Sequence, residues 1–370
     1  LMCYLKACLE VSKENYLVHL KQTISFSVIL LVCGDILASQ FDLKPKIPPG
    51  YKPVDAQTEK GIWMELQEYE KEIQRSALIV KDKHVNDYVK NVACRVAGDY
   101  CNDLRIYVIR NPNFNASMTA NGIMQIWTGL LIRVSSEDEL AAIIGHELAH
   151  YTQLHTLERA RSIIDSASAG TVLDFGLILL TGVSIPVGQF AAVLNVLAFS
   201  REQEQEADLL GVKFIAESSY DPSAAVRVWK TIIEEEEAAV VKRNDPSIFS
   251  KTHPGADERI VVLDSYVKDH YKGLVADPKG KQRHVEMLNH YYMTLMEDQL
   301  DTNRYGRTES MLRDHRSIGV DSNLINYFWG EMYRQRNEEG DLDKAKAVSY
   351  THLRAHETLI SISYAVFCLK

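Results

Sequence analysis

Residues 146–150 read His-Glu-Leu-Ala-His. Side chains four apart on an α-helix share a face, so His146 and His150 can present both imidazoles to one metal ion. Glu147 is placed for its carboxylate to reach an attacking water rather than the metal. Two neutral nitrogen ligands, an open position and a nearby base are what a zinc hydrolase needs. A third ligand is still required, and residues 200–208 (SREQEQEAD) supply one. Glu204 can complete a His-His-Glu shell, and Asp208, four residues on, can accept the second ring N–H of a ligand histidine. Alone, Glu204 would read as part of a solvated acidic face, because Glu202 and Glu206 flank it.

These residues need helices to hold them. A helix is predicted over 137–157, with Leu140, Ile143, Ile144 and Leu148 to bury. Ser135 or Ser136 can cap it, and Glu137, Asp138 and Glu139 suit its first turn. Further helices are predicted over 56–75, 85–96, 202–217, 222–237 and 257–269. Strands are predicted over 104–109 and over 123–127, the second after the Asn121-Gly122 turn signal. The expected fold class is α+β, mostly helical with a small sheet.

Composition bounds the remainder. The 370 residues are 46% hydrophobic and 25% charged, as in a globular protein. With 41 Lys+Arg against 50 Asp+Glu, the net charge of -9 argues against nucleic acid as a partner. Six cysteines in this length exclude a disulfide scaffold. Lys21 precedes a ten-residue apolar run, 24–33, too short for a membrane span, and small residues follow at Gly34, Ala38 and Ser39. That pattern predicts an export signal, with Cys33 a candidate lipid-attachment site despite the bulky Val32 before it.

At the other end, VSYTHLRAHET and ISYAVFCL resemble the two ends of a sequencing-library adapter read as codons. Residues 348–370 are therefore expected to be non-biological, which sets aside His352, His356 and Glu357 as ligands. Between the two ends, Cys94 and Cys101 lie seven apart around Gly98 and read as a disulfide in an exported protein, with two buried thiols the alternative. Pro45, Pro48, Pro49 and Pro53 make an extended lead-in. The apolar stretch 171–199, broken by Pro186 and three glycines, reads as a buried hairpin, a membrane-contacting flap or a span. Residues 283–347 show two amphipathic helix pairs. Gly330 and Tyr333 have the spacing of a tetratricopeptide helix, although a plain helical cap fits as well.

HELAH, EQEAD and THPGADERI (252–260), in that order, resemble the gluzincin metallopeptidase family of the CAAX prenyl protease, HtpX and BepA, nearest the periplasmic BepA-like branch. The resemblance covers about residues 57–270. It implies a zincin-type metalloprotease domain with one Zn2+ per chain held by His146, His150 and Glu204. Glu147 is then the general base, and Asp208 the acid behind a ligand. It also implies a catalytic role for His253, as an extra ligand or beside the reacting carbonyl. From the residues alone, His253 before Pro254 reads as a helix cap. The resemblance places a substrate-binding edge strand within 114–131, at Asn121, Gly122, Ile123, Met124 and Gln125. Arg259 is expected to pair with a carboxylate, and His155, off the face of His150, to be structural.

The expected plan is an upstream stretch and export signal (1–39), a lead-in (40–56), a zinc metallopeptidase domain (57–270), a helical tetratricopeptide-like region (271–347) and the scar (348–370). The implied function is a periplasmic or secreted zinc endopeptidase, taking misfolded or unassembled envelope and outer-membrane polypeptides, with membrane contact through 171–199. A chaperone or assembly factor with a latent protease site and partner-binding repeats is the alternative.

Overall fold

The computed structural model describes residues 43–53, 57–166, 199–237, 249, 253–254 and 256–355. Helices α1 (Gln57–Arg75) and α2 (Lys83–Ala97) precede strands β1 (Arg105–Ile109), β2 (Ala116–Met118) and β3 (Ile123–Trp127). The short α3 (Thr128–Leu131) leads to α4 (Glu137–Thr152), α5 (His155–Ser166), α6 (Arg201–Glu217), α7 (Ala224–Glu237) and α8 (Ala256–His270). Four more helices follow: α9 (Gly280–Leu300), α10 (Tyr305–Ile318), α11 (Ser322–Arg336) and α12 (Asp341–Ala355). This is the mostly helical α+β architecture expected. The expected export signal, Cys33 and the stretch 171–198 lie outside the described residues; α12 runs across position 348, and 356–370 lie outside.

Helix α4 is the centre of the molecule. All 16 of its residues are buried, and it packs against α2, α6, α7, α9 and β2. Ser136 caps it by accepting from the Glu139 N–H, and its three first-turn acids are each answered. Glu137 accepts from Arg283, Asp138 from the Asp221 N–H at 2.9 Å, and Glu139 from Arg227 at 3.3 Å. Carboxylates at a helix N-terminus complement its dipole, and such buried ones need these partners.

The partner that matters most is α6, started by a Ser200–Gln203 capping box. A Cβ on Gly211 would lie 2.9 Å from the His146 nitrogen, and one on Gly145 2.9 Å from the Gly211 oxygen. The two backbones are therefore in contact, closer than any other residue pair would permit.

The predicted helix over 137–157 is in fact two. α4 ends at Thr152, Leu154 takes φ 60°, and His155 opens α5. No Gly or Pro marks this break. Residues 43–53 run without regular structure and fasten to it: the Lys46 N–H donates to the Thr152 carbonyl at 3.0 Å, and its ammonium to that of Gln153. The Gln153 amide returns a bond to the Lys44 carbonyl at 2.9 Å. Tyr100 donates to the Ile47 carbonyl, and a Cys94–Cys101 disulfide ties α2 to the 3₁₀ turn Gly98–Asp103 carrying that tyrosine.

The sheet order is β1-β3-β2, β1 parallel and β2 antiparallel to β3. The expected edge strand at Asn121–Gln125 is thus corrected. Asn121 and Gly122 form the turn, and Ile123, Met124 and Gln125 begin the central strand, paired on both sides. All five β3 residues are buried, as a central strand requires. The edge next to α4 is β2, whose three residues Ala-Ser-Met carry little strand signal.

The helices after 280 dock on the segment that precedes α4. His315 donates Nε2–H to the Ile132 carbonyl at 2.7 Å and meets the Tyr292 hydroxyl at Nδ1. Arg133 donates to Gln299, and His284 meets the Tyr88 hydroxyl. Burial holds His315 and His284 neutral, with pKa values pushed down to about 4 and about 3.

This packing can be tested by substitution and by pH. Gly211→Ala should destabilise the protein by about 1–3 kcal/mol in urea unfolding, because the added carbon overpacks a backbone contact. Gly61→Ala, in open space on α1, should instead gain about 0.5–1 kcal/mol from helix propensity. For the histidines, folded pKa values below the unfolded value of about 6.5 mean that their stability is present above that pH and lost progressively as pH falls towards the folded values. The thermal midpoint should therefore drop between pH 6.5 and 5, and His315→Gln should flatten that limb.

Candidate metal centre and active site

His146 and His150 project from one face of α4, and Glu204 and Asp208 from the facing surface of α6. His253, just ahead of α8, enters from a third direction. The potential ligand atoms of His146, His150, Glu204 and His253 all lie within 4.8 Å of one another, and all four residues are buried. His146 Nε2 is 3.0 Å from His150 Nε2 and 3.2 Å from His253 Nδ1. Glu204 Oε1 is 3.0 Å from His253 Nδ1 and 3.4 Å from His150 Nε2, and its Oε2 is 3.5 Å from His146 Nε2. Bonds of 2.0–2.1 Å to a tetrahedral ion such as zinc would set its ligand atoms about 3.3–3.4 Å apart. The separations of 3.0–3.5 Å given above bracket that spacing.

Proton positions make the same point. His146 Nδ1 lies 3.0 Å from Asp208 Oδ1, a carboxylate that can only accept, so the ring proton is at Nδ1 and Nε2 carries a lone pair. Burial would raise the Asp208 pKa, but Arg259 and His146 outweigh it and hold the group ionised. Burial pushes the pKa of His146 down and that of His150 well down, keeping both rings neutral as ligands must be. Lone-pair nitrogens packed against a buried carboxylate oxygen are a donor set that fits a cation.

Glu147 lies beside this cluster. Its Oε1 faces His253 Nε2 at 3.4 Å and is buried without a hydrogen bond, while the Met118 N–H donates to its carboxylate. Burial is the chief reason its pKa rises to about 7, the range suited to taking and returning a proton. Glu204 is the contrast. Burial would raise it too, but His253 and Arg259 outweigh that and hold it well below the usual carboxylate range. Aromatic rings pack around the cluster. Phe199 stacks on the His150 ring at 3.8 Å, Phe249 lies 4.5 Å from the His253 ring, and Trp229 meets His146 edge-on.

The structure brings together His146, Glu147, His150, Glu204, Asp208 and His253, and it leaves out Asn121–Gln125. Gln125 instead donates to the Tyr69 hydroxyl on α1, and the Asn121 carbonyl accepts from Arg105. Strand β2 reaches the site through the Met118 backbone, a contact no side-chain pattern could announce. Cys94 and Cys101 join one another, on α2 and the 3₁₀ turn. Arg259 does pair with a carboxylate, and with more than one. Its guanidinium grips both Asp208 oxygens at 2.6 Å, lies 2.5 Å from Glu204 Oε2 and stacks 3.9 Å over Trp229. Removing a fully buried cation from two carboxylates leaves uncompensated charge. Arg259→Ala should therefore lose about 3–5 kcal/mol in denaturant unfolding. Arg259→Lys should recover only part of it, because an ammonium cannot make the two-pronged bond.

The comparisons agree with this geometry. The pattern of peptidase family M48 matches residues 80–267. A candidate beta-barrel assembly-enhancing protease of Vibrio cholerae is 28% identical over 205 residues, 52% of this chain and 41% of the relative. Mitochondrial metalloendopeptidase OMA1 of Schizosaccharomyces pombe is 30% identical over 190 residues, 49% of this chain and 53% of its own length. The beta-barrel assembly-enhancing protease of Escherichia coli K12 is 26% identical over 203 residues, 52% of this chain and 41% of its length. The chain thus spans about half, or less, of the length of these relatives. With the match covering half of its length and the buried His-His-Glu cluster lying inside the matched segment, the chain belongs to peptidase family M48.

Proposed function

We propose that this protein is a zinc-dependent endopeptidase. The observation that carries the reading is the convergence of His146, His150 and Glu204 beside an orphaned, buried Glu147 oxygen. One zinc ion per chain would be held by the first three, supplying a Lewis acid that polarises the scissile carbonyl and acidifies water. Glu147 takes a proton from the attacking water and passes it to the leaving amine. Its pKa near 7 serves both transfers, since a stronger acid would hold the proton too weakly. His253 Nε2, 3.4 Å from Glu147, is placed to donate to charge developing on the carbonyl oxygen. Arg259, through Asp208, keeps His146 oriented.

The substrates we propose are unfolded or unassembled envelope polypeptides, outer-membrane proteins among them. The names of the beta-barrel assembly-enhancing relatives support that class. The Cys94–Cys101 disulfide supports work in an exported, oxidising compartment. Among the described residues no helix is long and apolar enough to cross a membrane. Helix α11, with Gly330 and Tyr333, and residues 341–347 of α12 are proposed as part of a tetratricopeptide-like region that holds partner proteins. A second reading, a chaperone with a latent site, draws on one observation: His253 Nδ1 sits at ligand distance, where it would fill the position substrate needs.

Cleavage of an unfolded test protein by the zinc-loaded chain checks this. Glu147→Gln should slow cleavage by about 10²–10⁴-fold while zinc content is unchanged. A chelator should abolish cleavage in the parent. Undiminished cleavage by Glu147→Gln would refute the role of Glu147, and a zinc-loaded parent that never cuts would favour the latent reading.

A further inference from the structure

His155 was expected to be structural because an unbroken helix would carry it about 140° around from His150. The chain does not continue that way. α4 stops at Thr152, Leu154 turns left-handed at φ 60°, and α5 starts on His155 itself. The turn swings the imidazole back, and His155 Nδ1 comes to rest 3.0 Å from His150 Nδ1, the rings 5.1 Å apart. The other nitrogen, His155 Nε2, lies 3.0 Å from Glu206 Oε2. His155 is 1% exposed; its contact with His150 is buried and that with Glu206 partly so.

The donors and acceptors allow one arrangement with neutral rings. The Glu206 carboxylate accepts only, so His155 carries its proton on Nε2. His155 Nδ1 is then a lone pair, and His150 must donate to it from its own Nδ1. That leaves the lone pair of His150 on Nε2, the atom that faces His146 Nε2 and Glu204 Oε1. The opposite arrangement would set two lone pairs against each other at the Glu206 contact.

We propose that Glu206 and His155 form a relay that fixes the tautomer and orientation of His150, doing for this ligand what Asp208 does for His146. His155 is thus a positioning residue acting through His150, and Glu206 a positioning residue acting through His155. Phe199, stacked on the face of His150, restrains the same ring by packing. The inference rests on the reading of His150 as a metal ligand. Partners behind a ligand histidine raise its basicity, and losing them lowers metal affinity by about 10–100-fold.

The experiment measures zinc affinity of the full chain by competition with a chromophoric chelator, beside the thermal midpoint of each metal-free protein. His155→Ala should weaken zinc binding by about 10–100-fold. His155→Asn, whose amide oxygen can replace Nδ1 as the acceptor, should recover most of that loss. Glu206→Ala, at the half-buried end of the relay, should weaken binding in the same direction by about tenfold and serves if His155→Ala does not fold. Unchanged affinity in His155→Ala and Glu206→Ala, with only the metal-free midpoints lowered, would make the pair structural and overturn the proposal. A parent chain that binds no zinc would overturn the metal-site reading beneath it, so the two failures are distinguishable.

Discussion

The backbone contact between Gly145 and Gly211 is the constraint on which the rest depends. Two helices ordinarily pack with axes 8–10 Å apart, held off by the side chains between them. Here neither helix has a side chain at the crossing, and a β-carbon on either would collide with the other's backbone. His146 follows Gly145 directly, and His150 lies one turn beyond. Glu204 and Asp208 are two turns and one turn before Gly211 on the facing helix. A carboxylate has a short reach, so only helices this close can set Glu204 against both imidazoles and Asp208 against the back of one.

Burying those groups together creates a charge problem, and the structure solves it in part. Three carboxylates, Glu147, Glu204 and Asp208, meet one permanent cation, Arg259. Two negative charges are left over when all three are ionised, the charge a divalent ion would balance. Protonation of His253, whose pKa burial would lower but Glu204 and Glu147 raise, or of Glu147, whose pKa lies near 7, also reduces the excess. Glu147 is thus both a flexible term in the electrostatics and the group assigned to move protons.

Much of this is legible in the sequence. The spacing of His146, His150, Glu204 and Asp208 has the period of a helix, and helical period survives in sequence whatever the helices pack against. The convergence of His253 and Arg259 is reachable only through resemblance, because the sequence around His253 has no periodicity. Two features left no trace. The break after Thr152 occurs at Leu154, a residue that rarely adopts positive φ, so tertiary fastening rather than local preference enforces it. Strand β2 is three residues long with little β-propensity, and it exists because β3 offers it a ladder. The resemblance put the sheet's margin at 121–125, although the complete burial of β3 marks it as the middle.

The fastening of residues 43–53 has a mechanical meaning. Lys44 and Lys46 are bonded to the carbonyls and amide at the very end of α4, and the segment then runs to Tyr100 and Asp103 beside the disulfide. Lys213 of α6 donates to the Leu43 carbonyl at 3.0 Å, so tension on the chain ahead of residue 43 falls on α6 and then on the last turn of α4, the turn that carries His150. The disulfide-braced 3₁₀ turn stands farther along the same path as the stiffer anchor. A pull from that side would bear on α4 and α6 together, the two helices that carry the buried cluster. The geometry of the buried cluster is in this sense coupled to load on the leading segment.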